Sequence, residues 1–159
     1  MSVLALDIET KNMSFDIGGF GNTHMFQVST VATWDGSNGT VYVDEPLDSF
    51  AKSGHVIKSL GELKYDLDDH FDTSKLLLKE HGERFQLKNL VKCTMNDFKL
   101  MDSADAPKLW KMGQFDEVVE YCMKDTQLVY NLWKYGQDNG FIKAFSIEKG
   151  EHKDLEVNW

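Results

Sequence analysis

Apolar and polar positions divide the chain into a strand-rich beginning and a helix-rich remainder. Residues 2–8, Ser-Val-Leu-Ala-Leu-Asp-Ile, are apolar apart from their ends, the pattern of a strand buried on both faces of a sheet, and a central strand is predicted here. Met25 to Trp34 alternates around Phe26, Val28, Thr30 and Ala32, and Thr40 to Val43 is β-branched. Asp35-Gly36-Ser37-Asn38-Gly39 between them is turn chemistry, so the two form a hairpin. A short helix from Pro46 to about Lys52 and a fourth strand over 55–58 follow. From there to about Met112 the chain reads as helix and loop, with Leu76, Leu77, Leu87, Leu90 and Val91 at helical spacing and Pro107 as an interruption.

The clearest helix is Phe115 to Tyr135. Val118, Val119, Cys122, Thr126, Val129, Leu132 and Trp133 share a stripe, Asp116 and Glu117 occupy the first turn, and Gly136 is the predicted stop. Phe141, Phe145 and Ile147, a Lys149-Gly150 turn, then Leu155, Val157 and Trp159 predict a terminal hairpin folded back on the domain. The 159 residues fit one α/β domain, 1–159, able to build a core without staples.

Charge narrows the choice of partners. Seventeen basic against 26 acidic side chains give a net charge of −9, which argues against holding a polyanion through bulk charge. No stretch approaches the roughly 20 apolar residues of a membrane span, and no basic segment precedes the first apolar run. A soluble, cytoplasmic chain is expected. Cys93 and Cys122 make no metal-finger spacing and no disulfide framework, consistent with a reducing interior.

The candidate chemistry lies in carboxylates. Asp7 and Glu9, two apart in a strand, point to the same face. Tyr121 and Asp125, four apart in the long helix, share a helix face. Were the strand and the helix separate, two solvated acids and a boundary tyrosine would explain them. Were Asp7, Glu9 and Asp125 to converge, each pair at about 5 Å would repel by roughly 3 kcal/mol at an effective dielectric near 20. Such a cluster must protonate or bind cations, and oxygen ligands suit Mg²⁺ or Mn²⁺. Two such ions would also provide the positive field that a net-acidic chain lacks.

Leu4-Ala5-Leu6-Asp7-Ile8-Glu9-Thr10 resembles the first motif of the DEDD superfamily of 3′–5′ exonucleases, and Tyr121-Cys122-Met123-Lys124-Asp125 resembles its third motif in the tyrosine form, DEDDy. The histidine form would carry its His where Glu120 stands. Phe15 to Gly19, His81 to Leu87, Leu109 to Gly113, Tyr121 to Gly136 and Leu155 to Trp159 are similar to the stand-alone ribonuclease-H-like predicted exonucleases, themselves similar to the proofreading domain of family B polymerases. The resemblance implies a ribonuclease-H-like fold, a mixed sheet whose first three strands are antiparallel with helices on its faces. It also implies two metal ions, both bridged by Asp7, with Glu9 and Asp125 binding the ion on the nucleophile side and Tyr121 orienting the attacking water through its hydroxyl. Single-stranded DNA or RNA 3′ ends are the implied substrate, with a polymerase, helicase or other replication or repair protein as partner. The alternative is a degenerate fold of this kind that binds nucleic acid or protein without cutting.

The second motif of the family is an Asp after the fourth strand in an Asn-x-x-x-Phe-Asp setting. Gly61 stands at the Asn position, Asp66 is the candidate ligand, and Asp69 and Asp72 compete with it in a short interval. Helix capping by one of these Asp residues is the competing explanation. Lys75, Lys79, Arg84, Lys88 and Lys92 line either a strand-binding groove or a solvated face. Phe15 and Phe20 near the first motif are either base-stacking groups or core. The glycine-rich stretch from Phe15 to Asn22 has no Walker lysine and is predicted as a connecting loop. His70 stands out among five histidines for its acidic neighbours.

Overall fold

The computed structural model describes residues 3–64 and 70–159 of an α/β chain. By their contacts, residues form two compact units: residues 1–63 with 99–127, and residues 64–98 with 128–159. Among the described residues, no helix is long and apolar enough to cross a membrane.

The first unit is built on a four-stranded mixed sheet. Strands β1 (Ala5–Thr10), β2 (Val28–Trp34), β3 (Gly39–Val43) and β4 (Val56–Ser59) lie in that order. β1 with β2 and β2 with β3 are antiparallel, and β4 runs parallel to β3. β1 is therefore an edge strand with β2 as its sheet neighbour, which corrects the central placement expected from its apolar run. One face is also open, with Leu4 59% and Ile8 49% exposed, while Ala5 and Glu9 on the other face are buried. An unbroken apolar run records the absence of polar groups and does not count the layers that cover it.

The short helix α3 (Ala106–Lys111) and the start of the long helix α4 (Phe115–Asn139) cover the inner face. Val118, Val119 and Cys122 of α4 and Trp110 of α3 join Ala32, Val41 and Val43 of the sheet in one buried cluster. Gly39 permits the close approach of helix and sheet, because a Cβ there would lie 2.5 Å from Met123 Cε and 2.9 Å from Trp34 Cε3. Pro107 sits in the first turn of α3, where its missing N–H is no loss, so it starts a helix and does not merely interrupt one. The helix expected from Pro46 is a single 3₁₀ turn, Leu47–Ser49.

The second unit joins α1 (Thr73–His81), α2 (Leu87–Met95), the remainder of α4 and a hairpin of β5 (Phe141–Ser146) with β6 (Glu151–Glu156). Leu77, Phe85, Leu90, Leu132, Ile142, Ala144, Leu155 and Val157 form its core. The predicted stop at Gly136 is inside α4, which ends only at Asn139 and is closed by Gly140 at φ +77°. Packing overrides the intrinsic penalty of about 1 kcal/mol for a mid-helix glycine. A Cβ at Gly136 would stand 2.8 Å from Val157 Cγ2 and 2.9 Å from Trp159, so the terminal segment needs that bare backbone.

Candidate metal centre

β1 delivers Asp7 and Glu9 to the inner face of the sheet, the face shared by their pairing partners Ala32 and Thr30. A register irregularity between Glu9 and Thr10 ends the regular ladder at this point. α4 delivers Tyr121 and Asp125 one turn apart. Asp7, Glu9 and Asp125 each bring a carboxylate oxygen within 4.8 Å of the others. Among the described residues no fourth acid, histidine or cysteine joins them.

Burial dominates the electrostatics. It pushes the Asp7 carboxyl up to about 7, with the charge of Asp125 acting in the same sense. Glu9 is pushed up to about 8 by burial and then by Asp7 and Asp125. Asp125, only 2% exposed, is raised by burial against the opposing hydrogen bond from Lys99. The Cys122 thiol, whose Sγ donates to the Asp7 carbonyl at 3.5 Å, is raised by burial and the same carboxylates and is inert.

Lys99, absent from the sequence reasoning, is the cation of the cluster. Its Nζ lies 2.5 Å from Asp125 Oδ2 and 5.1 Å from the centre of the Tyr121 ring, and donates to Ser103 Oγ at 3.5 Å. Burial works against its charge, yet hydrogen bonding to Asp125 and Tyr121 holds it firmly protonated. Burial pushes the Tyr121 hydroxyl up to about 12, and this hydroxyl donates to Ser103 Oγ at 3.2 Å. One signal in the sequence was available: Phe98-Lys99-Leu100-Met101 embeds a lone base among apolar residues.

The cluster is incompletely satisfied. Asp7 Oδ2, Asp125 Oδ1 and Thr30 Oγ1 are buried without a hydrogen-bond partner, and Thr30 is the cross-strand neighbour of Glu9. Buried oxygens without donors are costly, at about 1–3 kcal/mol each and more when charged. Oxygen-only donors, close together and partly unsatisfied, fit a hard divalent cation.

Asp66 and Asp69 lie outside the described residues. Asp72 is the N-cap of α1, accepting from the Lys75 backbone N–H at 3.0 Å, so its carboxylate has the structural role. Lys75, Lys79, Arg84, Lys88 and Lys92 are exposed on α1, α2 and the loop between them. Phe15 and Phe20 are 72% and 76% exposed, so neither is core. The glycine-rich stretch after β1 is a loop of two 3₁₀ segments, Ser14–Ile17 and Phe20–Met25. Both cysteines are free. No family model matches the chain, and no curated protein or solved structure matches it.

Proposed function

We propose that the chain is a metal-dependent 3′–5′ exonuclease with a ribonuclease-H-like fold, hydrolysing terminal phosphodiesters of single-stranded DNA or RNA. The observation that carries this reading is the meeting of Asp7, Glu9 and Asp125 around buried carboxylate oxygens that have no partner. The antiparallel pairing of β1, β2 and β3, with the acids of β1 turned toward α4, supports the fold assignment.

Asp7, Glu9 and Asp125 are the residues that would hold Mg²⁺ or Mn²⁺. When bound, such an ion supplies Lewis acidity that activates water and charge that neutralises the phosphate. The hydroxyl of Tyr121 stays protonated at working pH, so it serves as a hydrogen-bonding group that orients water and not as a base. The water oxygen bonds to phosphorus as the P–O3′ bond breaks, giving a nucleoside 5′-monophosphate and a strand with a new 3′ hydroxyl. Phe15 and Phe20, both exposed on the first unit, are available to stack on bases.

The test is degradation of a 5′-labelled single-stranded oligonucleotide with Mn²⁺. Asp7→Asn and Asp125→Asn each lower the rate by three orders of magnitude or so, about 4 kcal/mol of transition-state stabilisation. Undiminished cleavage by both variants overturns the assignment. A second reading, a module that binds nucleic acid or protein without cutting, draws on the ion pair that Lys99 makes with Asp125. It requires oligonucleotide binding or protein capture by the wild-type chain with no cleavage in any divalent metal.

A further inference from the structure

We propose that Cys93 is a thiol–disulfide exchange site, where a small disulfide carrying both charge signs, of the glutathione kind, is captured with His152 as the proton acceptor. The site lies wholly in the second unit, and the inference is independent of the metal-dependent reading above.

Cys93 is half-buried on α2, and its Sγ stands 3.8 Å from Nδ1 of His152 on β6. Both line a cavity of about 470 Å³ together with Lys143, Lys153 and Asp154. That volume falls among small-molecule pockets, which span roughly 300–1,000 Å³.

The thiol and the imidazole are held against each other. Asn89, one turn before Cys93, receives the Phe145 N–H and donates to the Phe145 carbonyl, which ties α2 to β5. The Phe145 ring meets the imidazole of its cross-strand partner His152 edge-on, with ring centres 5.1 Å apart. Asn89 Oδ1 also accepts from the Cys93 thiol at 3.6 Å. The clamp that fastens the strand therefore places the sulfur and its base.

Charge around the pair selects the disulfide. The Lys153 ammonium is taken by Glu83 at 3.0 Å, but Lys143 and Asp154, cross-strand partners lining the cavity, make no ion pair with each other. An ammonium and a carboxylate side by side match a ligand that carries both signs. In the exchange His152 takes the thiol proton, and the Cys93 sulfur bonds to one sulfur of the disulfide as that S–S bond breaks. The departing thiolate takes the proton from the imidazolium and leaves as a thiol. The Cys93 sulfur is oxidised and the leaving sulfur reduced, so no further oxidant is required.

The experiment follows uptake of oxidised glutathione by intact mass, with the fully buried Cys122 as internal control. Wild type gains one glutathionyl group, Cys93→Ser gains none, and His152→Gln gains it at least about tenfold more slowly. The urea-unfolded wild-type chain, where no imidazole is held beside the thiol, also reacts at least about tenfold more slowly per cysteine. Lys143→Gln slows oxidised glutathione at least about threefold, yet leaves the uncharged hydroxyethyl disulfide within about twofold of wild type. Uptake by native Cys93→Ser, a rate that His152→Gln leaves unchanged, or a native rate no higher than the unfolded one overturns the inference. A Lys143→Gln effect equal for the two disulfides overturns it as well. The comparison with the unfolded chain needs no variant and decides even if one fails to fold.

Discussion

The two units handle buried polar groups in opposite ways. In the second, Asn89 receives the Phe145 N–H at 2.8 Å and donates to the Phe145 carbonyl at 2.7 Å. Thr94 makes the equivalent pair with Lys143, at 2.9 and 3.0 Å. Side chains of α2 thus satisfy the backbone of β5 along its free edge, and the core behind them is apolar. In the first unit, three acids converge with one ammonium against Asp125, and every buried carboxylate oxygen without a partner among the described residues belongs to this unit. In the second unit the one buried side-chain polar group without a partner among the described residues is the uncharged Trp133 Nε1, whereas the unpartnered carboxylate oxygens of Asp7 and Asp125 meet in one place, where the fold accepts a penalty for something it does not itself contain.

This contrast is breakable at several levels. The largest effect is expected in the second unit: Leu77→Ala empties a fully buried site and lowers stability by about 3 kcal/mol, with chemical denaturation as the measurement. Mn²⁺ affinity of the folded variant stays within about twofold, because no ligand is touched. A large loss of affinity would show that the units are not separable in function.

pH sharpens the comparison next. The folded first unit keeps protons on Asp7 and Glu9 up to about 7 and about 8, whereas the unfolded chain releases them near ordinary carboxylate values. Between about pH 4.5 and pH 8 the folded state binds more protons, so metal-free stability falls as pH rises through that window and levels off above it. Asp16 and Asp35 are held below their ordinary value, mainly by backbone hydrogen bonds, and titrate beneath the window. The melting midpoint without metal should drop by at least about 3 °C from pH 5.5 to 8.5. Saturating Mn²⁺ should raise the midpoint more at pH 8 than at pH 6, since ligands must lose their protons to bind. A metal-free midpoint that is flat or rising would contradict the buried, cation-seeking character of the cluster.

The smallest effect belongs to Tyr121→Phe. It removes an orienting hydroxyl but no ligand, so cleavage is expected to fall by roughly tenfold, about 1.4 kcal/mol, with Mn²⁺ affinity unchanged. Loss of metal binding in a titration of this variant would assign Tyr121 to holding the cluster together.

Much of this was legible from local pattern. The hairpin turn at 35–39, the long helix and the terminal β5–β6 hairpin follow from turn residues and apolar spacing. The same-face placement of Asp7 with Glu9 and of Tyr121 with Asp125 follows from strand and helix periods. The edge position of β1 was not legible, because neighbour choice in a sheet depends on pairing between distant segments. Gly136 misled for a similar reason. Its glycine signal is a local stop, and only the packing of Val157 and Trp159 shows that it is a contact.

Sequence alone determined the chemistry on offer: carboxylates at fixed strand and helix spacings, and an acidic balance. Tertiary structure decided which of those acids meet, that Asp72 caps a helix instead, and that Lys99 arrives beside Asp125 from 26 positions earlier. Periodicity acts over a few residues and is written in order along the chain. Electrostatic neighbours are chosen by packing, so the local sequence marks Lys99 only as a lone base among apolar residues, and its partner Asp125 is fixed when the fold brings the two together.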